Sequence, residues 1–435
     1  VNITDLIKSI DQEETGRKIY ALISELYPIC RSITGDGLRA TLEGFRRHIP
    51  LDIHEVPSGT NVFDWVVPKE WNIKDAYIRN PAREKIVDFK ESNLHVINYS
   101  KSVHKTVSLD ELKGHLHTLP KHPDWVPYKT SYYREVWGFC MSYNRFLELE
   151  EGEYEVCIDS VLKDGSMSYG EFYLEGAEDE EILISCHTCH PSLANDNLSG
   201  DCLAVLLAEH LGSIKHRYSY RFLFIPGTIG AIAWLALNEE KTKKIKHGLV
   251  LSGVGDKGNI TYKKSRNGNA EIDRVVCHVL KHSGDPYDIV DFSPYGYDER
   301  QYCSPGFNLP VGCFSRTPYG KYPEYHTSAD NLDFVEPRYL SDSFIKILTI
   351  LGVLEENALY LSMNQKCEPQ LGKRGLYNSI GSDEMAMLWV LNLSDGHNTL
   401  LDIAERAGLR FDAVVSTVEA LYGKDLLRKV DGLLD

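Results

Sequence analysis

From Tyr154 to Met363 the chain alternates short apolar runs with longer amphipathic ones, and this limits the fold more than any other feature. EILISCH (181–187), YRFLFIPG (220–227), GLVLSGVGD (248–256) and LPVGCFSR (309–316) are apolar over several successive residues. Runs of that length and character are strands buried on both faces. Between them lie DNLSGDCLAVLLAEHLGSI, TIGAIAWLALNEE and EIDRVVCHVLKHSG, which read as helices, and a long helix is expected from Pro337 to Met363. The alternation predicts an α/β domain with a mostly parallel sheet and helices on both faces. Just upstream, EYEVCIDSVL and SMSYGEFYLEG read as a hairpin pair.

The flanking regions have a different character. The first fifty residues read as two helices joined by ICRSITGDG, with Leu22, Ile23 and Leu26, then Leu38, Leu42 and Phe45, at helical spacing. From about Asp52 to Tyr133 prolines, aromatics and short alternating segments dominate, which predicts a β-rich insert walling one side of a crevice. After Gly381, three helices (DEMAMLWVLNL, TLLDIAERAGL, FDAVVSTVEALYGKDLL) precede a short ribbon, LRKVDGLLD, in the order of a winged helix-turn-helix. The expected organisation is an α/β domain from 1–51 and 134–366, a β-rich module at 52–133 and a winged helix at 367–435.

With 435 residues, 43% hydrophobic and 25% charged, the chain can bury a large core without disulfides. The ten cysteines are scattered, and several sit in apolar runs. Neither a signal-peptide pattern nor an apolar run of about 18 residues is present. Free thiols, a cytoplasmic location and no membrane segment are therefore expected. A net charge of −16 opposes binding to nucleic acid. The tail repeats that balance: from Gly381 onward five Lys/Arg face ten Asp/Glu, and the presumed recognition helix carries Asp412 and Glu419 but no Arg or Lys. A DNA reader shows a basic face, so this domain is expected to pack against protein, as an oligomer contact or a partner site, rather than against DNA.

ILISCHTCHPSLANDNLSG carries the strongest chemical signal. His187 ends a buried strand, where α/β sheets place ligands. Asp196 follows nine residues later at a helix start, where the backbone dipole favours its charge. In PEYHTSADNLDF, His326 follows a strand, and Glu324, two positions earlier, would share its face on an extended chain. Read singly, Asp196 is a helix cap and His187 a hydrogen-bonded core residue. Together, nitrogen and oxygen donors at strand ends suit zinc. His190 reads as a ligand, a proton shuttle or a loop-bonded imidazole. Asp256, in GVGDKG, reads first as a turn residue and second as a replacement ligand.

This set resembles the co-catalytic zinc aminopeptidase and glutaminyl-cyclase family, in which a histidine ends a strand, an aspartate follows in a GADDNASG-like turn, and a last histidine lies in an HTxxDT-like turn. His187, Asp196 in ANDNLSG and His326 in YHTSADN fill those positions. More narrowly, the chain resembles bacterial aminopeptidase-like proteins with an inserted β module and a C-terminal winged helix, often encoded with surface-polysaccharide genes. The resemblance implies a three-layer zinc-peptidase-like sheet, one or two zinc ions on His187, Asp196 and His326, and hydrolysis of an amide bond in a substrate with a free amine. It also places GYDERQYCSPGFNLPV, with Asp298 and Glu299, on the substrate side; Asp298, Arg300 and His190 are the substrate contacts expected.

Two departures from the family matter. Cys189 stands where the family has an aspartate that orients the first histidine. Gly227, in FIPGTIGAIAWL, stands where the family has a pair of glutamates, one of them the general base. Metal-assisted hydrolysis needs a proton acceptor. Glu324, by its shared face with His326, and Glu299, by its substrate-side loop, are the replacements expected. The alternatives are that Glu324 holds His326 and Glu299 pairs with Arg300 or a substrate amine. A catalytically idle domain that binds a small metabolite and signals through the tail is the rival reading.

Overall fold

The computed structural model describes residues 3–376 and 384–430. The chain forms two compact units, residues 1–273 with 286–345, and residues 274–285 with 346–435.

The larger unit is built on an eight-stranded sheet. Its order across the sheet is Asp52–Pro57, Ser166–Leu174, Ser219–Ile225, Glu181–His187, Ile245–Leu251, Val311–Ser315, Ile260–Lys263 and Tyr287–Val290. The four central strands are parallel to one another, but both flanks introduce antiparallel pairs, so the sheet is mixed. Every residue of Glu181–His187 is buried, because both faces are covered. Alternation along the strand shows how: the Ser185 hydroxyl meets the Tyr302 hydroxyl at 2.9 Å on one side, and the Cys186 thiol meets the Gly200 carbonyl at 3.4 Å on the other. Helix Ser199–Leu211 thus covers one face and the short helix Glu299–Tyr302 the opposite one.

A second sheet, ordered Lys85–Asp88, Glu70–Arg79, Glu153–Lys163 and Val103–Ser108, has its own core. Here the hairpin expected from EYEVCIDSVL and SMSYGEFYLEG does not form. Glu153–Lys163 belongs to this second sheet, and Ser166–Leu174 to the large one. Two different cores claim them: Tyr154, Val156 and Ile158 pack with Ala76, Ile78 and Val107, whereas Met167 and Tyr169 pack with Leu223 and Ile225. At the crossing, Glu70 accepts the Ser166 amide (3.0 Å) and the Arg39 guanidinium (2.6 Å). The stretch 52–133 accordingly supplies Asp52–Pro57 to the edge of the large sheet and most of the second sheet's strands.

In the smaller unit, helices Glu384–Leu393, Leu400–Ala407 and Phe411–Tyr422 pack with a three-stranded sheet ordered Asp395–Thr399, Leu359–Ser362 and Leu427–Val430. Thr399 and Asp402 form a reciprocal capping box at the start of the second helix, and Gly408, at φ 67°, ends it. The long helix stops at Glu356 rather than Met363, and the residues beyond it turn into a strand. The ribbon expected from LRKVDGLLD is strand Leu427–Val430 paired with Leu359–Ser362, and residues 431–435 lie outside the described residues. Among the described residues the ten cysteines form no disulfide, and no helix is long and apolar enough to cross a membrane.

Candidate metal centre

The parallel neighbours Ser219–Ile225 and Ile245–Leu251 bring three strand ends to one edge, and His187 is the last residue of the middle strand. The next residues reverse through a turn, Ala194–Leu198, before helix Ser199–Leu211 begins. Asp196 therefore lies before the helix, with φ −109° and ψ 82°, and is not its first residue.

The polar residues around Asp196 are occupied by backbone. Asn195 Oδ1 accepts the Gly255 amide at 2.9 Å, and Asn197 Nδ2 donates to the Leu251 carbonyl at 2.9 Å while its Oδ1 accepts the Gly253 amide. The Ser199 hydroxyl donates to the Asn195 carbonyl. Asp330 clamps the turn from the other side, its carboxylate accepting the amides of Asn195 (2.6 Å) and Asp196 (3.0 Å). The side chain left to face the strand ends is Asp196, which is fully buried.

Its two oxygens meet two imidazoles. His187 Nε2 donates to Asp196 Oδ1 at 2.8 Å. His326 Nε2 lies 3.0 Å from Asp196 Oδ2, yet the two do not align as a hydrogen bond, and both atoms are buried without another partner. Burial opposes charge on Asp196, but the imidazoles around it hold its carboxyl well below the usual range. Burial also works against a charged His187, and the Asp196 carboxylate outweighs it, raising that imidazole. A set of imidazole nitrogens and a carboxylate held in the ionised form fits zinc, and the orphaned Asp196 Oδ2 and His326 Nε2 are the atoms an ion would satisfy.

His190 joins the cluster: donor atoms of His187, His190 and Asp196 all lie within 4.8 Å of one another. Tyrosines complete the walls. Tyr297 stacks on His187 (5.0 Å), Tyr325 stacks on His326 (4.0 Å), and Tyr128 meets both His190 (5.1 Å) and His326 (5.0 Å) edge-on. Tyr325 immediately precedes His326 and Tyr297 immediately precedes Asp298, whereas Tyr128 comes from a distant stretch that no local motif marks.

The proposed acids fare differently. His326 does not follow a strand. It sits at φ 56° in a turn closed by the Thr327 amide on the Glu324 carbonyl at 3.1 Å, so the extended chain that would align Glu324 with His326 is absent. Glu299 is fully buried, with Oε1 held by Lys263 Nζ at 2.8 Å instead of by Arg300 and Oε2 unpartnered. Arg300 places its guanidinium 5.6 Å from the Tyr295 ring. Asp298 is buried with both oxygens unpartnered, and burial pushes its carboxyl up to about 7. Asp256 is a turn residue, as first read, accepting from Gly258, Asn195 and both the amide and hydroxyl of Thr317.

Residues 20–357 match the family described as "Domain of unknown function (DUF4910)", and residues 358–429 match the winged helix-turn-helix family HTH_47. A Clostridium acetobutylicum protein, named as a candidate polysaccharide biosynthesis protein with an aminopeptidase-like domain, is 56% identical over 97% of this chain and 98% of its own. A crystal structure of a candidate peptidase from the same organism superposes with a TM-score of 0.95 at 55% identity, over 98% of this chain and 99% of that one. A zinc aminopeptidase from Bacillus subtilis shares the fold at a TM-score of 0.55 and 11% identity, over 77% of this chain and 94% of that one.

Proposed function

The chain belongs to the DUF4910 family, and from its aminopeptidase-like fold and the geometry around Asp196 we propose a metal-dependent hydrolase acting on an amide bond next to a free amine. The observation that carries this reading is the single buried carboxylate with an imidazole nitrogen at each oxygen, one of them unaligned for hydrogen bonding. His187, Asp196 and His326 would hold the ion. Zinc there would supply Lewis-acid activation of the amide carbonyl and of water.

The chain's own residues divide the remaining work. Asp298 lies against Gly227, where the family's acid would be, and with its carboxyl near 7 it can take up and return a proton at neutral pH. Glu299 offers a buried, unpartnered Oε2 to the substrate ammonium, which brings three N–H donors and no acceptor. The tyrosine rings at His187, His190 and His326 exclude water from the reacting atoms.

The test is hydrolysis of a panel of aminoacyl-p-nitroanilides and dipeptides by the zinc-loaded chain and by its chelated form. Turnover that needs metal, and disappears in His187→Ala and Asp196→Asn, supports the reading. A zinc-binding chain that hydrolyses nothing in the panel overturns it. The missing acid at Gly227 favours a second reading in that event, a domain that binds an amine-bearing metabolite without cleaving it.

A further inference from the structure

His190 has no counterpart among the ligands that the family resemblance implies, yet its ring stands between the two imidazoles that do. Its centroid is 5.0 Å from that of His187 and 5.1 Å from that of His326. Its backbone is pinned: Arg31, buried at 1% exposure, donates from Nε to the His190 carbonyl at 2.8 Å and from a terminal nitrogen to the Leu26 carbonyl. Its Nδ1 faces the Cys189 sulfur at 3.7 Å.

Most of the other acids nearby are engaged: Asp256 accepts four hydrogen bonds, Asp330 the turn amides, and Asp201 the Thr188 hydroxyl at 2.7 Å. Among the described residues, His187, His190 and Asp196 form the one group of three such side chains with mutually close donor atoms.

We infer that His190 is a ligand of the ion, grouped with His187 and Asp196. The inference rests on the metal reading above and changes its content, because His190 moves from the substrate to the metal.

The experiment titrates zinc alone into the metal-free full-length chain, measuring stoichiometry by elemental analysis and affinity by chelator competition. The expected result is zinc binding that His190→Ala weakens by more than the roughly 10–100-fold that loss of an outer partner costs. Cobalt substitution should give visible absorption bands that shift in His190→Ala. Circular dichroism and thermal melting of the metal-free variant establish that it folds. If it does not, ¹⁵N-histidine spectra of the wild-type chain decide the matter: zinc should move a His190 ring-nitrogen resonance strongly. An unchanged affinity in a folded His190→Ala, or unmoved His190 ring-nitrogen resonances, overturns the inference while the hydrolase reading stands. A wild-type chain that binds no zinc overturns both.

Discussion

Gly227 lies directly against His187: a Cβ at position 227 would come 3.0 Å from His187 Cβ and 3.7 Å from Asp298 Oδ2. The position that lacks an acid thus has no room for one while His187 stays where it is. Gly227→Ala should displace the His187 ring by a few tenths of an ångström and destabilise the fold by about 1–3 kcal/mol, as overpacking does. Gly227→Glu should lose zinc binding and not gain turnover. Chelator competition on both variants checks this, and a Gly227→Glu chain with faster hydrolysis would show that the missing acid alone limits the reaction.

Asp298 gives a pH signature in the metal-free chain. Its carboxyl rises from an ordinary value of about 3.9 to about 7 in the folded protein because it is buried. The unfolded chain therefore releases this proton first, and stability falls as pH climbs from about 4 to about 7. Asp298→Asn removes that loss. The variant should melt above the wild type at pH 8, and the gap should close toward pH 4. A gap independent of pH would mean that Asp298 titrates normally.

Glu70 works in the opposite direction. The Arg39 guanidinium holds its carboxyl down at about 2, helped by the Ser166 amide and Asn72. The stability it contributes is present above the unfolded value of about 4.3 and is lost as pH falls toward 2. Because Arg39 is partly exposed, the contribution is at the lower end for a charged hydrogen bond, about 1–2 kcal/mol. Urea unfolding of Glu70→Gln should show that deficit at pH 7 and little difference from wild type near pH 2.

Asp330 holds the turn that presents Asp196. Asp330→Ala leaves two buried amides without an acceptor and frees the turn to shift. Zinc affinity should fall roughly 10–100-fold, the usual cost of losing an outer partner. Affinity within a few-fold of wild type would mean that the side-chain bonds of Asn195 and Asn197 suffice.

The tail should not bind DNA. Among its cations Arg410 pairs with Asp412 at 2.9 Å, and Arg274, in the same unit, pairs with Asp402 and Glu405 at 2.6 and 2.5 Å. Fluorescence anisotropy with random-sequence duplex at about 0.1 M salt should show no saturable binding; a steep salt-dependent isotherm would reverse the assignment.

The sequence carried the strand that ends at His187 because a strand covered on both faces must be apolar at successive positions. It carried the Asp196 turn because Asn, Asp and Ser have few other reasons to cluster at the end of such a strand. Other features depended on distant chain. The fate of Glu153–Lys163 and Ser166–Leu174 was set by two separate cores, which a two-residue connection could not reveal. His326 adopts a positive φ that no neighbouring glycine signals, so Glu324 was assigned a face that does not exist. Tyr128 resembles any other loop tyrosine until the chain brings it to the imidazoles, whereas Tyr297 and Tyr325 sit inside segments already marked, beside Asp298 and His326.

The backbone amide of Tyr128 donates to the carbonyl of His326 at 2.8 Å, and Val126 and Ser328 bond to each other twice beside it. The stretch that looks like an accessory therefore fastens the last histidine in place. It could not be excised or exchanged for another module as a self-contained cassette: a shortened chain would keep the eight-stranded scaffold's central strands and lose the anchorage of His326. Any change to this stretch must therefore keep the backbone at 126–128, where it meets His326 and Ser328.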